Sequence, residues 1–237
     1  MDHAFEAVTG IFDESAVFTR YRVGVRFTEL VIGGIPQKPE IIESWLRQRI
    51  LGGDEELAIM LRKTLADLEI DVPENATREE IVEAAKSIAA TRNGNTFFRN
   101  GKGVELRAYN VKAMLKEATA ILYPYQVEKW GPTRKAARAL LAERVFVDEY
   151  GIPLGREEPD GTMMQVGHVT GPKGPRSTLT YYDYCVQPEI GFTISSSEDC
   201  ITGEQWERIL VQGQRLGMGA IRSLGYGQFK ITDFAKC

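Results

Sequence analysis

Four glycines in the last part of the sequence are spaced as they would be in a ligand-binding loop. They follow the pattern Gly-apolar-Gly, five residues, Gly-apolar-Gly. Glycine tolerates positive φ and has no side chain, so a ligand or a neighbouring backbone can approach closely. Exposed N–H groups in such a loop could hold phosphate oxygens, and an arginine inside it would add positive charge. The candidate nucleic-acid-binding residues here are Gly217, Gly219, Arg222, Gly225 and Gly227.

This loop differs from the two common nucleotide-binding loops. The GxxxxGK[ST] order of a P-loop is missing, and a dinucleotide fingerprint would follow a strand and open a helix. Here the glycines follow an amphipathic helix that is predicted to start at a Thr202–Gln205 capping box, and they lead into a predicted strand over Tyr226 to Phe234. We therefore expect no nucleotide cofactor.

Cations form the second candidate set. The net charge of the chain is −4, but the segment from Arg92 to Arg144 holds eleven lysines and arginines against four glutamates, a local charge of +7. A local basic surface can follow a phosphate backbone even on an acidic protein, because charges are screened over roughly 10 Å. The alternative is a set of solvated helix faces. The candidate nucleic-acid-binding residues in this segment are Arg99, Lys102, Arg107, Lys112 and Lys116.

Two further cations and two aromatic residues extend this set. Lys173 and Arg176 lie in a glycine- and proline-rich loop over 171–176 that is predicted to project from a hairpin. Phe97 and Phe98 stand beside Arg99, and aromatics interleaved with cations can stack bases and hold phosphates. The alternative for both phenylalanines is the core of a short strand.

Catalytic and metal-binding patterns are weak. His168 is the weak candidate for a general acid or base, since His3 lies near the start of the chain, and a lone histidine is more often structural. A histidine-free site could use Tyr181, Tyr182 and Tyr184, although tyrosines that alternate in a strand are usually core and surface residues. The three cysteines are widely spaced without a CxxC pair, and the aspartates are scattered. We therefore predict no metal site, no cofactor and a reducing, cytoplasmic location.

The elements that would carry these residues indicate an α+β protein. A strand with alternating apolar residues is predicted over Tyr21–Ile32, followed by mostly helical sequence over about 37–92. Two more helices are expected over 111–122, capped by Asn110, and over 133–143. Strand-like runs follow over 162–170, 177–186 and 189–194. No apolar stretch is long enough for a membrane helix, and no signal peptide is evident.

Together, the last helix, the glycine loop and the final strand resemble the C-terminal part of proteins in the RAMP superfamily. These are CRISPR-associated proteins built on RNA-recognition-motif-like ferredoxin folds. The glycine loop at 217–227 carries most of this resemblance, and the segments Thr28–Pro36 and Leu106–Ala118 add to it more loosely. The resemblance implies a single domain over 1–237 with a ferredoxin-like antiparallel sheet. The residue patterns add a helical insertion over about 37–92 and a hairpin over about 162–186. The insertion is unlike most members, which suggests a divergent or phage-borne relative.

Three functions are compatible with these patterns. The first is a non-catalytic protein that binds single-stranded nucleic acid, RNA more than DNA, and self-associates as the backbone subunits of CRISPR effector complexes do. The second is an endoribonuclease of the RAMP type, for which His168 is the weak catalytic candidate. The third is an assembly or inhibitor protein that keeps the fold but binds protein partners. No membrane partner is expected.

Overall fold

Strand β1, Phe18–Phe27, forms because apolar and polar residues alternate along it. The computed structural model describes residues 17–36, 59, 94–123, 133–171, 174–197 and 201–237. Within these, Val23, Val25 and Phe27 are at most 1% exposed, whereas Arg22 and Arg26 are exposed on the opposite face. One face of β1 therefore supplies the core and the other supplies a polar surface.

A four-stranded antiparallel sheet, sheet A, is built around β1. In spatial order its strands are β12 (Phe229–Lys236), β1, β11 (Glu189–Ser197) and β7 (Val145–Val147). The described helices are α1 (Ala108–Leu122), α2 (Arg134–Arg144) and α3 (Gly203–Leu216). Along the chain, α1 and α2 connect β1 to β7, and α3 connects β11 to β12. This βαββαβ order with the last strand beside the first is the ferredoxin-like arrangement, so the predicted fold class is confirmed.

The remaining strands form two smaller sheets. They are β2 (Leu30–Ile32), β3 (Ile35–Pro36), β4 (Gly94–Thr96), β5 (Phe98–Arg99), β6 (Val104–Arg107), β8 (Gly151–Pro153), β9 (Gly161–Gly171) and β10 (Gly174–Val186). Sheet B has the order β2, β10, β4, β3, with β9 also paired to β10. Sheet C has the order β5, β6, β8.

The strand predicted over Tyr21–Ile32 is two strands. The chain leaves sheet A after Phe27 and enters sheet B at Leu30. At the break the Thr28 N–H donates to the Gln228 carbonyl at 2.9 Å, and the Glu29 carbonyl accepts from the Gln187 N–H at 2.6 Å. The two residues at the break thus bond to different neighbours, which redirects the chain from one sheet to the other.

Side-chain caps mark the starts of two of the three α-helices named above. Thr202 and Gln205 form the predicted capping box of α3, with bonds of 2.9 and 3.3 Å. Thr133 caps α2 by accepting from the Ala136 N–H at 3.1 Å. Asn110 does not cap α1 as expected, because the helix begins earlier, at Ala108. The Asn110 side chain instead accepts from the Arg107 N–H at 3.1 Å, inside the first turn.

Strands β9 and β10 form a long antiparallel hairpin, in register from Gly174 opposite Gly171 to Tyr184 opposite Gly161. The inner part of β10 also pairs with β4 and β2. Its outer part, 174–180, pairs with β9 alone among the described residues. The helical insertion expected over about 37–92 lies almost wholly outside the described residues, so that prediction and the domain boundaries stay predictions. None of the helices described here is long and apolar enough to span a membrane.

Candidate nucleic-acid interface

The glycine loop, residues 217–227, is tied by backbone hydrogen bonds to itself and to sheet B. The Met218 N–H donates to the Gly227 carbonyl at 2.9 Å, which closes the loop at its base. The Gly227 N–H donates to Leu30 at 2.7 Å, and the Ala220 N–H donates to Ile32 at 3.0 Å. Several of the backbone N–H groups expected to hold phosphates therefore join the end of α3 to β2 instead.

Three glycines of the loop are required by close backbone contacts. All four have positive φ, between +74° at Gly217 and +92° at Gly219. A Cβ at Gly227 would lie 1.9 Å from the Met218 carbonyl oxygen, and one at Gly217 or Gly219 would lie 2.7 Å from backbone atoms. A Cβ at Gly225 would meet nothing within 4 Å. The base of the loop is thus a packing element, and its outer end at Gly225 is open.

Arg222 connects the glycine loop to the helical layer. Its guanidinium lies 2.9 Å from the Glu117 carboxylate on α1 and donates to the Gly217 carbonyl at 3.4 Å. Tyr226, on the other side of the loop, accepts a 3.3 Å bond from Gln165 of β9. The loop therefore joins α1, β2 and β9. Nucleic-acid contacts of Arg222 and the four glycines stay a prediction.

The two arginines of sheet C are engaged with carboxylates, and Arg107 also stands over aromatic rings. Arg99 forms an ion pair with Glu158, and this hydrogen bond lowers the pKa of the Glu158 carboxyl. Arg107 is 5% exposed, lies 2.6 Å from Glu105, and stands over the ring of Phe98 at 4.0 Å. Arg107 is therefore buried within sheet C, and a nucleic-acid strand on the surface has little access to it.

Phe97 and Phe98 are core residues. Their side chains are 1% and 5% exposed. Both phenylalanines therefore belong to the core, which is the alternative that the sequence left open. Neither ring could stack on a base without leaving the core. Lys102, next to them in the β5–β6 turn, is exposed.

Lys112 and Lys116 lie one turn apart on α1 and are both half-buried. The Lys112 ammonium stands 5.0 Å from the centroid of the Phe146 ring in β7. Burial, and secondarily the Lys116 charge, lowers the pKa of Lys112 from 10.5 to about 8. Lys112 is thus a partly desolvated cation with no carboxylate partner in the described chain.

Helix α2 carries cations that belong to the basic segment but were not singled out from the sequence. Arg134, Lys135, Arg138 and Arg144 are exposed, whereas Ala137 and Leu141 pack inward. Among the described residues none of these four cations forms an ion pair. The signal was present in the sequence, since four of eleven residues in this helix are cationic and one is acidic. We call α1 and α2, which pack on each other, the basic helix pair.

The open face of sheet A is charged but balanced. Arg20, Arg22 and Arg26 of β1 pair with Asp148, Asp233 and Glu189 at 3.5, 2.9 and 2.5 Å. The two middle strands carry Gly24 opposite Gly191 at the centre of this face. RNA-recognition motifs stack bases on aromatics at central strand positions, and β1 and β11 have none at the centre of this face.

Three predicted residues lie outside what the structure describes in full. His168 is opposite Ser177 in the hairpin and Arg176 is opposite Val169, but neither side chain is described. Lys173 is outside the described residues. Their roles, catalytic for His168 and nucleic-acid-binding for the two cations, stay predictions. The described residues also contain no cluster of three or more His, Cys, Asp or Glu side chains close enough to hold a metal ion.

Comparison with known proteins finds a distant likeness among solved structures. No protein-family model matches the chain, and no curated protein matches it. A chain in the cryo-electron microscopy structure of the Type III-B Cmr-beta bound to cognate target RNA is similar, with 12% identity and a TM-score of 0.44. The alignment covers 99% of this chain but 65% of that one. The RNA belongs to that structure, and at this TM-score the likeness says nothing about a ligand here.

Proposed function

We propose that this protein binds single-stranded nucleic acid without cleaving it, through phosphate contacts on the basic helix pair. The observation that carries the proposal is the contrast in ion pairing. Arginines of sheet A, sheet C and the glycine loop have carboxylate partners, whereas Arg134, Arg138 and Arg144 on α2 have none in the described chain. Unpaired, exposed cations on one helix are available to an external polyanion.

The position of these cations on α2 also favours a bound anion. Arg134 and Lys135 occupy the first turn of the helix, which contains no acidic residue. Cations there oppose the helix macrodipole, and each such placement costs roughly 0.3–1 kcal/mol. A bound phosphate would reverse that cost, because helix N-termini attract anions. Lys112 and Lys116 on the neighbouring helix add two more charges without carboxylate partners in the described chain.

The preference for RNA over DNA rests on the resemblance of the glycine loop to the RAMP superfamily, together with the ferredoxin-like order of sheet A. The same resemblance supports a role in a CRISPR-related complex, whereas the helical insertion expected over about 37–92 favours a divergent or phage-borne relative. The open sheet face lacks the central aromatics of base-reading modules, so the main contacts proposed here are to the backbone. Binding should then depend strongly on salt and weakly on sequence.

Fluorescence anisotropy with a labelled single-stranded RNA tests this proposal. The variant Arg134→Glu/Lys135→Glu is compared with Arg215→Glu/Lys230→Glu, which makes the same change in net charge on α3 and β12, where both residues are exposed. We expect the α2 variant to lose about tenfold or more in affinity and the control to lose much less. The slope of log K against log salt should fall by roughly 0.7 for each phosphate that the variant no longer neutralises.

Two outcomes would overturn the proposal. Absence of binding by the unmodified protein at low salt would remove nucleic-acid binding altogether. Equal losses in the two variants would show that affinity depends on total charge and that the basic helix pair is not the site. Repeating the titration with DNA of the same sequence tests the preference for RNA.

A separate observation leads us to propose a protein partner as well, either a second copy of this chain or another subunit. Met164, Val166 and Leu179 are 57%, 55% and 48% exposed on the β9–β10 hairpin, and Val166 lies opposite Leu179 in the register. An exposed apolar strip of this kind is typical of a contact surface. Light scattering with size exclusion should show self-association that Leu179→Glu reduces, and a monomer at all concentrations would contradict self-association.

A further inference from the structure

An exposed aromatic ring lies at the edge of sheet A among cations. Phe146 belongs to β7, the edge strand of this sheet in the described chain, and its side chain is 45% exposed. Phe18 of β1 packs edge-on against it, with ring centroids 5.7 Å apart and planes at 85°. The Lys112 ammonium stands over the Phe146 ring at 5.0 Å. The ring is therefore oriented by two neighbours while much of it still faces solvent.

A fourth group, Arg20, shares this corner. Phe146 lies opposite Ser195, and Ser195 lies opposite Arg20, so the three side chains form one row across β7, β11 and β1. Side chains opposite each other in paired strands are on the same face. The Ser195 hydroxyl donates to Asp148 at 2.5 Å, and Asp148 lies 3.5 Å from the half-exposed Arg20 guanidinium. The corner thus combines a flat apolar surface with the Lys112 ammonium on one side and the Arg20–Asp148 ion pair on the other.

These groups match the chemistry of one nucleotide unit. An unpaired base is a flat ring that gains roughly 1–3 kcal/mol by stacking on an aromatic side chain. Its phosphate would gain from Lys112, which is half-buried beside Lys116 without a carboxylate partner in the described chain. The apolar surface of this corner is small and surrounded by charged groups. Such a surface fits a single nucleotide better than it fits a protein partner.

We propose that Phe146 is a stacking platform for a single unpaired base of the bound strand, with the adjacent phosphate held by Lys112. This inference rests on the proposed function. It adds a base contact at the β7 edge to the phosphate contacts on α2. Because stacking accepts any base, this platform adds affinity for single strands without sequence specificity.

The test compares Phe146→Leu with Phe146→Tyr. Leucine keeps an apolar side chain against Phe18 but removes the ring, whereas tyrosine keeps both the ring and its edge-on contact with Phe18. With the labelled RNA we expect a loss of roughly tenfold for the leucine variant and a change within about twofold for the tyrosine variant. An abasic strand of equal length should bind the unmodified protein and the leucine variant equally well.

The outcomes separate the two proposals. If the unmodified protein binds RNA and both variants bind as tightly, Phe146 is no platform, and the proposed function stands on α2 alone. The same conclusion follows if Phe146→Leu weakens the binding of abasic RNA as much as it weakens the binding of normal RNA. A leucine variant that loses self-association but keeps RNA affinity would make the corner a protein contact and overturn the inference. If the unmodified protein binds no strand, the proposed function itself fails.

Discussion

The glycine loop and the basic helix pair differ in how their polar groups are satisfied. In the loop, backbone donors bond to Gly227, Leu30 and Ile32, and the one arginine pairs with Glu117. On α2 the cations point to solvent without ion pairs in the described chain. A group that is already bonded contributes to the fold, whereas a charged group left unpaired on a surface is available to a ligand.

This difference separates two patterns that looked alike in the sequence. The regular glycine spacing indicates a loop with strict backbone requirements, and the structure traces three of those glycines to contacts inside the protein. The excess of cations indicates a surface, and among the described residues most of the cations without ion pairs lie on α2 and α1, with Lys102 exposed in the β5–β6 turn. Substitutions in the loop should therefore act mainly on stability, and substitutions on α2 mainly on binding.

The largest expected effect is on stability, from Gly227→Ala. The added methyl group would lie 1.9 Å from the Met218 carbonyl oxygen at a φ of +76°, so the loop base must open. We expect a loss of more than about 3 kcal/mol in urea unfolding. Gly225→Ala is the matched control, because its φ is also positive but the space is open, and a loss of about 1–2 kcal/mol is expected. Equal losses would contradict the role of the loop base as a packing element.

The pH dependence of stability tests the burial of Lys112 on the basic helix pair. Its pKa falls from 10.5 to about 8 on folding, so the charged form is disfavoured in the folded state. The cost is fully present below pH 8 and disappears as the pH rises towards 10.5. Lys112→Met should therefore raise the urea midpoint at pH 7, and this gain should shrink between pH 8 and 10. Lys230→Met, on exposed β12, corrects for removal of a surface charge. A gain that is constant with pH would contradict the burial of Lys112.

The α2 variant Arg134→Glu/Lys135→Glu should change stability and affinity in opposite directions. Acidic residues in the first turn complement the helix macrodipole, so unfolding should cost roughly 0.3–1 kcal/mol more for each substitution. Affinity for RNA should fall at the same time. Thermal unfolding and anisotropy on one preparation measure both. A variant that loses stability together with affinity would show damage to the helix rather than removal of a phosphate-binding group.

The smallest effect is expected from Arg222→Ala. Its ion pair with Glu117 is partly exposed, and such pairs contribute about 0–1 kcal/mol. We expect affinity for RNA to fall less than in the α2 variant, because Arg222 already has a partner. An equal or larger fall would place the glycine loop in the binding surface, as its spacing predicts, and would weaken the distinction between the two regions.

Local patterns in the sequence predicted much of the fold. The alternation in β1, the Thr202–Gln205 capping box and the apolar stripe of α3 all act over a few residues, and all are observed. The start of α1 and the break after Phe27 were missed, because both depend on bonds to distant segments. The Ala108 N–H at the start of α1 donates to the Tyr150 carbonyl at 3.1 Å. The Thr28 N–H, for example, donates to Gln228, two hundred residues further along the chain.

The candidate site was predicted less well than the fold, for the same physical reason. Charge and residue type, which the sequence determines by itself, mark a basic segment between Arg92 and Arg144. The tertiary structure decided which of these cations are engaged, since Arg107 is buried against Glu105 while Arg134 is exposed. Ion pairing and burial depend on which segments meet in space. The spacing of the glycines indicated a loop that needs residues without side chains, but only the packed structure showed that β2 and the base of the loop itself occupy the space that those glycines leave.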